Sequence, residues 1–281
     1  MVSEAKVFDG PVIRIEPTSG SVGATLKELW EFRELLFFLV WRDVKVLYKQ
    51  TAIGAAWAVI QPVLTMLIFT LVFGRFAKIP SDGVPYPIFT YVALLPWMYF
   101  AKALNQSTLS LVSNSNLITK VYFPRVMLPM AAMLAGLVDF ALSFGVLLAM
   151  MLWYGIAPNA SIVFLPVLVF QMMATALSVS LWLSAINVRY RDVGQAMPFL
   201  IQIWMFASPV AYPTNLVPEN WRLLYSFNPM AGVIEGFRWA LLGKQAPELL
   251  PIAVSALVVA ALLLSGLFFF KRMEKTFADV V

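Results

Sequence analysis

Lys102, in PWMYFAKALNQS, and Asp139, in LAGLVDFALSF, are charged residues set inside long apolar stretches. Glu235 and Arg238 follow in PMAGVIEGFRWALLG. A lone carboxylate with no partner base is not a hydrolase site. The chain has no histidine and no cysteine, which excludes Ser-His-Asp and Cys-His nucleophiles and every His/Cys metal cluster. Gly243–Gln245 lacks the upstream glycine and the Ser/Thr of a phosphate-binding loop. Neither a catalytic residue nor a metal ligand is assigned, and no cofactor is expected in this chain. The chemistry left to Lys102 and Asp139 is electrostatic. Lys102 lies ten residues before Val112, and Asp139 lies eleven after Leu128. On antiparallel helices joined at that end, both sit about 15 Å deep. Equal depth makes them an intramembrane ion-pair candidate. The alternative is Lys102 snorkelling alone, with Asp139 bonded to hydroxyls.

Neutral polar residues also fall within apolar runs: Gln61, Asn105, Gln106, Gln171 and Gln202. They either bond between helices or line a route for a polar solute. Trp57, Trp97, Tyr99, Trp153 and Trp182 are read mainly as interface anchors. A minority could stack on sugar rings, whose CH faces are apolar. The sequence does not sort one group from the other.

The elements that must position these residues follow from composition. The chain is 61% hydrophobic and 12% charged, with a mean hydropathy of +0.82. Several segments exceed the ~20 apolar residues that span a bilayer core. The fold class is an all-α polytopic membrane protein. The net charge of +5 is explained by basic residues flanking spans and calls for no nucleic acid.

Residues 1–24 read as a cytoplasmic tail without a signal peptide. Residues 25–50 read as an amphipathic interface helix, opened by a capping box of Thr25 and Glu28. Its polar stripe is Lys27, Glu31, Glu34, Arg42, Lys45 and Lys49. Its apolar face includes Leu29, Trp30, Leu36, Phe37, Val40 and Trp41. Residues 51–275 form the transmembrane domain, with six spans at about 54–74, 88–112, 128–153, 162–186, 198–212 and 249–270. The fifth is short. Residues 207–243, rich in proline, read as a re-entrant outer hairpin of short amphipathic helices, lid-like rather than packed. Asn228 is placed to cap the second of these helices and Gly243 to end it. Fourteen basic residues fall on one side of the spans and five on the other, so both termini are expected to be cytoplasmic.

YKQTAIGAAWAVIQP, NSNLITKVYFPRVMLP, NVRYRDV and SPVAYP…VPENW…FNPMAGVIEGFR occur in that order. Together, over about 26–275, they resemble the permease subunit of type-2 ATP-binding-cassette exporters of polysaccharides, the O-antigen, capsule and teichoic-acid group. The resemblance implies a homodimer in the bacterial cytoplasmic (inner) membrane. Two copies of a cytoplasmic ATPase subunit would hold the ATP and magnesium, and the cargo would be a lipid-linked glycan. It implies a channel lined by the first and fifth spans, with Trp57, Gln61, Pro62, Gln202 and Phe206 as candidates. Pro62 would kink its span and free a carbonyl. Coupling to the ATPase would run through Asn114, Asn116, Lys120, Phe123, Pro124 and Arg125. An outer gate would use Pro209, Pro213, Asn228, Pro229, Glu235 and Arg238. The resemblance gives Lys102 no role. A type-2 exporter of a drug or lipid is the alternative. A channel or carrier without an ATPase fits less well, for the sequence has no internal pseudo-symmetry.

Overall fold

The computed structural model describes residues 22–49, 54–157, 159–243 and 249–277. Among them every regular element is helical. In chain order they are α1 (Val22–Glu31), α2 (Arg33–Lys49), α3 (Ala56–Phe76, its last seven residues widened into π-turns) and α4 (Tyr86–Ser113). Next come α5 (Ser115–Lys120), α6 (Met127–Trp153), α7 (Leu165–Arg189) and α8 (Asp192–Phe206). The last are α9 (Glu219–Tyr225), α10 (Pro229–Leu242) and α11 (Leu249–Glu274).

Five helical segments are long and apolar enough to cross a membrane: Ala56–Phe76, Tyr86–Ser113, Met127–Trp153, Ala160–Arg189 and Pro251–Glu274. They match the expected spans to within a few residues. The fifth expected span, 198–212, differs. Its helix starts at Asp192 and ends at Phe206, 15 residues that rise about 22 Å, with Pro198 inside it. That is short of the ~30 Å core, so this crossing is not one helix of spanning length.

α4 is the centre of the bundle. Its most apolar window is 78% buried, against 17–28% in the other four spans. It packs on α6, α7, α10, α3 and α8. A helix apolar on every side is a core helix, and the bulk of Phe89, Tyr91, Trp97 and Phe100 fills the space around it.

The N-terminal helix departs from expectation in its start and its faces. The helix already runs at Val22, so Thr25 lies inside it rather than at its start, and it breaks at Phe32. Its apolar residues divide between two sides. Leu29, Phe32, Leu35, Leu36, Leu39 and Val40 pack on a cluster with Phe123, Met127, Leu181 and Phe270. Trp30, Phe37, Phe38 and Trp41 stay exposed. Lys271 of α11 pairs with Glu28 of α1 at 3.4 Å.

The outer hairpin also differs. Only α9 is lid-like, with no buried residue. α10 is packed: Met230, Val233, Ile234, Phe237, Ala240 and Leu241 are wholly buried against α4, α7 and α11. A Cβ on Gly232 would lie 2.8 Å from Ser255 Oγ, so this glycine lets α11 approach. The Glu235 and Arg238 pair suggests a wet face, but Arg238 points inward to backbone carbonyls.

Candidate translocation cavity

A cavity of about 930 Å3 opens between α3, α4, α6 and α8. Trp57, Gln61 and Thr65 come from α3, one turn apart on one face. Met98, Lys102 and Asn105 come from α4, Asp139 and Ser143 from α6, and Pro198, Ile201 and Met205 from α8.

Pro62 shapes the α3 wall. It has no N–H, so the Ala58 carbonyl one turn back loses its helical partner. Ser143 Oγ of α6 donates to that carbonyl at 2.8 Å. The α3 segment before Pro62 is thereby tied to the neighbouring helix, and a half-buried acceptor that the proline leaves without a helical donor is satisfied.

The structure brings Lys102 and Asp139 together. Lys102 Nζ donates to Asp139 Oδ2, with the side chains 35% and 17% exposed. The other carboxylate oxygen, Oδ1, accepts from the Tyr48 hydroxyl. Burial, and next the bond to Asp139, push the Tyr48 phenol above its ordinary pKa, so it remains a donor. Asp139 therefore joins α2, α4 and α6 at the cavity. Sequence reasoning did not single out Tyr48, although it opens the motif YKQTAIG. Tyr48→Phe keeps the ring and loses the donor. A hydrogen bond to a charged group contributes about 1.5–3 kcal/mol. The expected result is faster tryptic cleavage at the exposed Lys49, with membrane levels unchanged. An unchanged cleavage rate would show that the bond does not hold α2.

Trp57, Gln61 and Pro62 line the cavity, and Trp57 is 55% exposed. Gln202 and Phe206 do not line it. Pro198, Ile201 and Met205 turn to α4, while Gln202 and Phe206 lie roughly a quarter-turn on, on the exposed side of α8.

The segment from Asn114 to Arg125 divides into anchors and exposed residues. Asn114 Nδ2 donates to Ser110 O at 2.7 Å and closes the end of α4. Ile118 and Phe123 are buried, and Pro124 is half-buried. The Arg125 backbone N–H donates to Glu274 Oε1 at 2.9 Å, and its Nη1 donates to the Glu274 carbonyl. Arg125 is thus an anchor to α11. Asn116, Lys120 and Tyr122 are exposed.

On the outer side Pro209, Pro213 and Pro229 are buried, and Glu235 is half-buried. Asn228 caps α10 by accepting from Met230 N at 3.1 Å and accepts from Trp204 Nε1 of α8 at 2.9 Å. Its Nδ2 donates to Ala207 O and to Ser208 Oγ, both at 3.0 Å. The end of the cavity-lining helix is thereby fixed to the packed hairpin helix. Arg238 donates to Tyr212 O at 3.1 Å and to Val210 O at 2.9 Å, and lies over the Phe89 ring at 3.8 Å.

Residues 34–242 match the family model described as ABC-2 type transporter. Over 259 residues the chain is 29% identical to the O-antigen export system permease protein RfbA of Myxococcus xanthus, covering 91% of this chain and 98% of the relative. It is 25% identical to the RfbA protein of Klebsiella pneumoniae, covering 88% and 95%. It is 21% identical to the polysialic acid transport protein KpsM of Escherichia coli, covering 83% and 91%. The matched stretch takes in α3 to α10 and with them every wall of the cavity, and on that ground the chain belongs to the ABC-2 type transporter membrane family.

Proposed function

We propose that this chain is the membrane subunit of an ATP-driven exporter of a lipid-linked polysaccharide. It works as a homodimer with two copies of a cytoplasmic ATPase subunit, which hold ATP and magnesium. It lies in the bacterial cytoplasmic membrane with both termini inside. α8 and the hairpin after it make the fifth of six crossings, re-entrant from the outer side, and α1–α2 rest at the inner interface.

The observation that carries this reading is the open cavity with an amide and aromatic lining, flanked by helices whose other faces are bare. Leu64, Leu67 and Ile68 of α3 and Phe199, Ile203 and Phe206 of α8 are all exposed. A second copy set against these faces would turn a groove into an enclosed path. Gln202 and Phe206 would then face the dimer axis. The full-length similarity to proteins named for O-antigen and polysialic acid export supports a glycan cargo.

The ATPase is placed at the exposed part of the 114–125 segment. Lys120→Glu with Tyr122→Ala changes only exposed groups and is expected to leave a folded chain that no longer retains an ATPase subunit on purification from native membranes. Arg125 reversal is a different experiment, because it breaks the tie to Glu274. Wild-type chain that brings down no ATPase would refute the reading. An ATPase retained equally by the variant would move the contact elsewhere.

A further inference from the structure

The cavity has a charge pattern that bears on its cargo, given the export reading above. Its lining contains two ionic groups, Lys102 and Asp139, and each is bonded to the other. The α3 wall contributes none, since the sequence carries no charge between Lys49 and Arg75. The charged residue of α8, Asp192, sits at the first position of that helix and is not in the lining. The remaining polar groups are uncharged. Gln61 and Asn105 contribute neutral amides to the lining, which can exchange hydrogen bonds with a hydroxyl in either direction. The rest of the surface is largely apolar, with the exposed face of Trp57 available to a sugar's CH face.

An acidic polymer meets the opposite conditions. Each of its carboxylates would enter an apolar-walled space beside the Asp139 carboxylate, and the ammonium there is already shared with Asp139. Moving an ionised group from water without a counter-charge is among the most expensive transfers known for proteins. We infer that the cavity is matched to an uncharged, hydroxyl-rich glycan chain, and that Asp139 sets this specificity by cancelling Lys102. The inference concerns the repeating units, which pass many times, and leaves aside the anionic head of a lipid carrier, which passes once.

The test is the composition of the polymer that a strain lacking this chain retains inside. Its repeating unit is analysed for uronic acids, sialic acids and anionic substituents, and its mobility is measured in an electric field at neutral pH. A neutral polymer is the expected result. An acidic polymer would overturn the inference and leave the export reading standing. No retained polymer would overturn the export reading, and the inference with it.

Variants give a second arm with a charge-specific readout. Asp139→Asn leaves an uncancelled ammonium and is expected to cut export by about tenfold. Lys102→Met with Asp139→Asn restores neutrality and is expected to recover export to within about threefold of wild type, because replacing both members of a pair is far milder than stranding one. Export and membrane level are measured together. A double variant present at wild-type level but as inactive as Asp139→Asn would overturn the role given to charge cancellation. Asp139→Asn exporting at the wild-type rate would do the same.

Discussion

Lys102→Met alone is expected to cost about 2–4 kcal/mol of stability, and Lys102→Met combined with Asp139→Asn much less. The Lys102 ammonium is the cation bonded to Asp139 at the cavity. Removing it leaves a carboxylate 17% exposed that still accepts from Tyr48, and a phenol does not neutralise a charge. The expected loss lies toward the low end of the ~3–5 kcal/mol typical of broken buried pairs, because the Lys102 side chain is 35% exposed and partly solvated. Asp139→Asn should be the gentler single change. Asn still accepts from Tyr48, and the freed lysine can extend its four-carbon stem toward water. The order of unfolding temperatures in detergent should therefore be wild type, double variant, Asp139→Asn, Lys102→Met. Strictly additive losses in the double-mutant cycle would show that the two groups do not interact.

Arg238→Met should destabilise the outer side by a similar amount, on the order of 2–4 kcal/mol. The side chain is 7% exposed and donates to two carbonyls, of Val210 and Tyr212, in the turn that follows α8. Methionine fills the volume but leaves both acceptors without this donor, the Val210 carbonyl in a buried place and the Tyr212 carbonyl in a half-buried one. The stacking over Phe89, at the start of α4, is lost with them. The relief of burying a guanidinium offsets part of this cost. Arg238→Lys should recover little, since an ammonium cannot reproduce a planar fork that reaches both carbonyls. The check is a thermal unfolding series with limited proteolysis of the 207–218 stretch. A methionine variant that unfolds at the wild-type temperature would mean the contacts to Val210 and Tyr212 contribute nothing.

These residues also show how far the sequence could be read. The ends of α10 were legible, because capping is local chemistry. Asn228 accepts from the Met230 N–H, and Gly243 adopts the left-handed conformation at φ 63°. The depth match of Lys102 and Asp139 was legible because helical rise is constant. Tyr48 was not, for its bond to Asp139 spans 91 positions and its type carries no sign of it. Ser143 was hidden in the same way. Pro62 announces a freed carbonyl, but the donor comes from α6, 85 positions beyond Ala58. The burial of α10 is masked in the sequence by Glu235 and Arg238, which mimic the polar face of a surface helix. Pro198 suggests a helix boundary, whereas α8 carries it as its seventh residue. Local signals set the helices and their caps. The contacts that build the cavity are long-range and follow from packing.

Export of glycan is tested most directly by fractionating the polymer of a strain from which this chain has been deleted, with the wild-type chain supplied from a plasmid as control. Polymer is measured at the cell surface and, as lipid-linked material, on the cytoplasmic side of the inner membrane. The expected result is loss of the surface polymer with accumulation inside, both reversed by the plasmid. Surface polymer unchanged in amount and length, with no lipid-linked material retained, would contradict it.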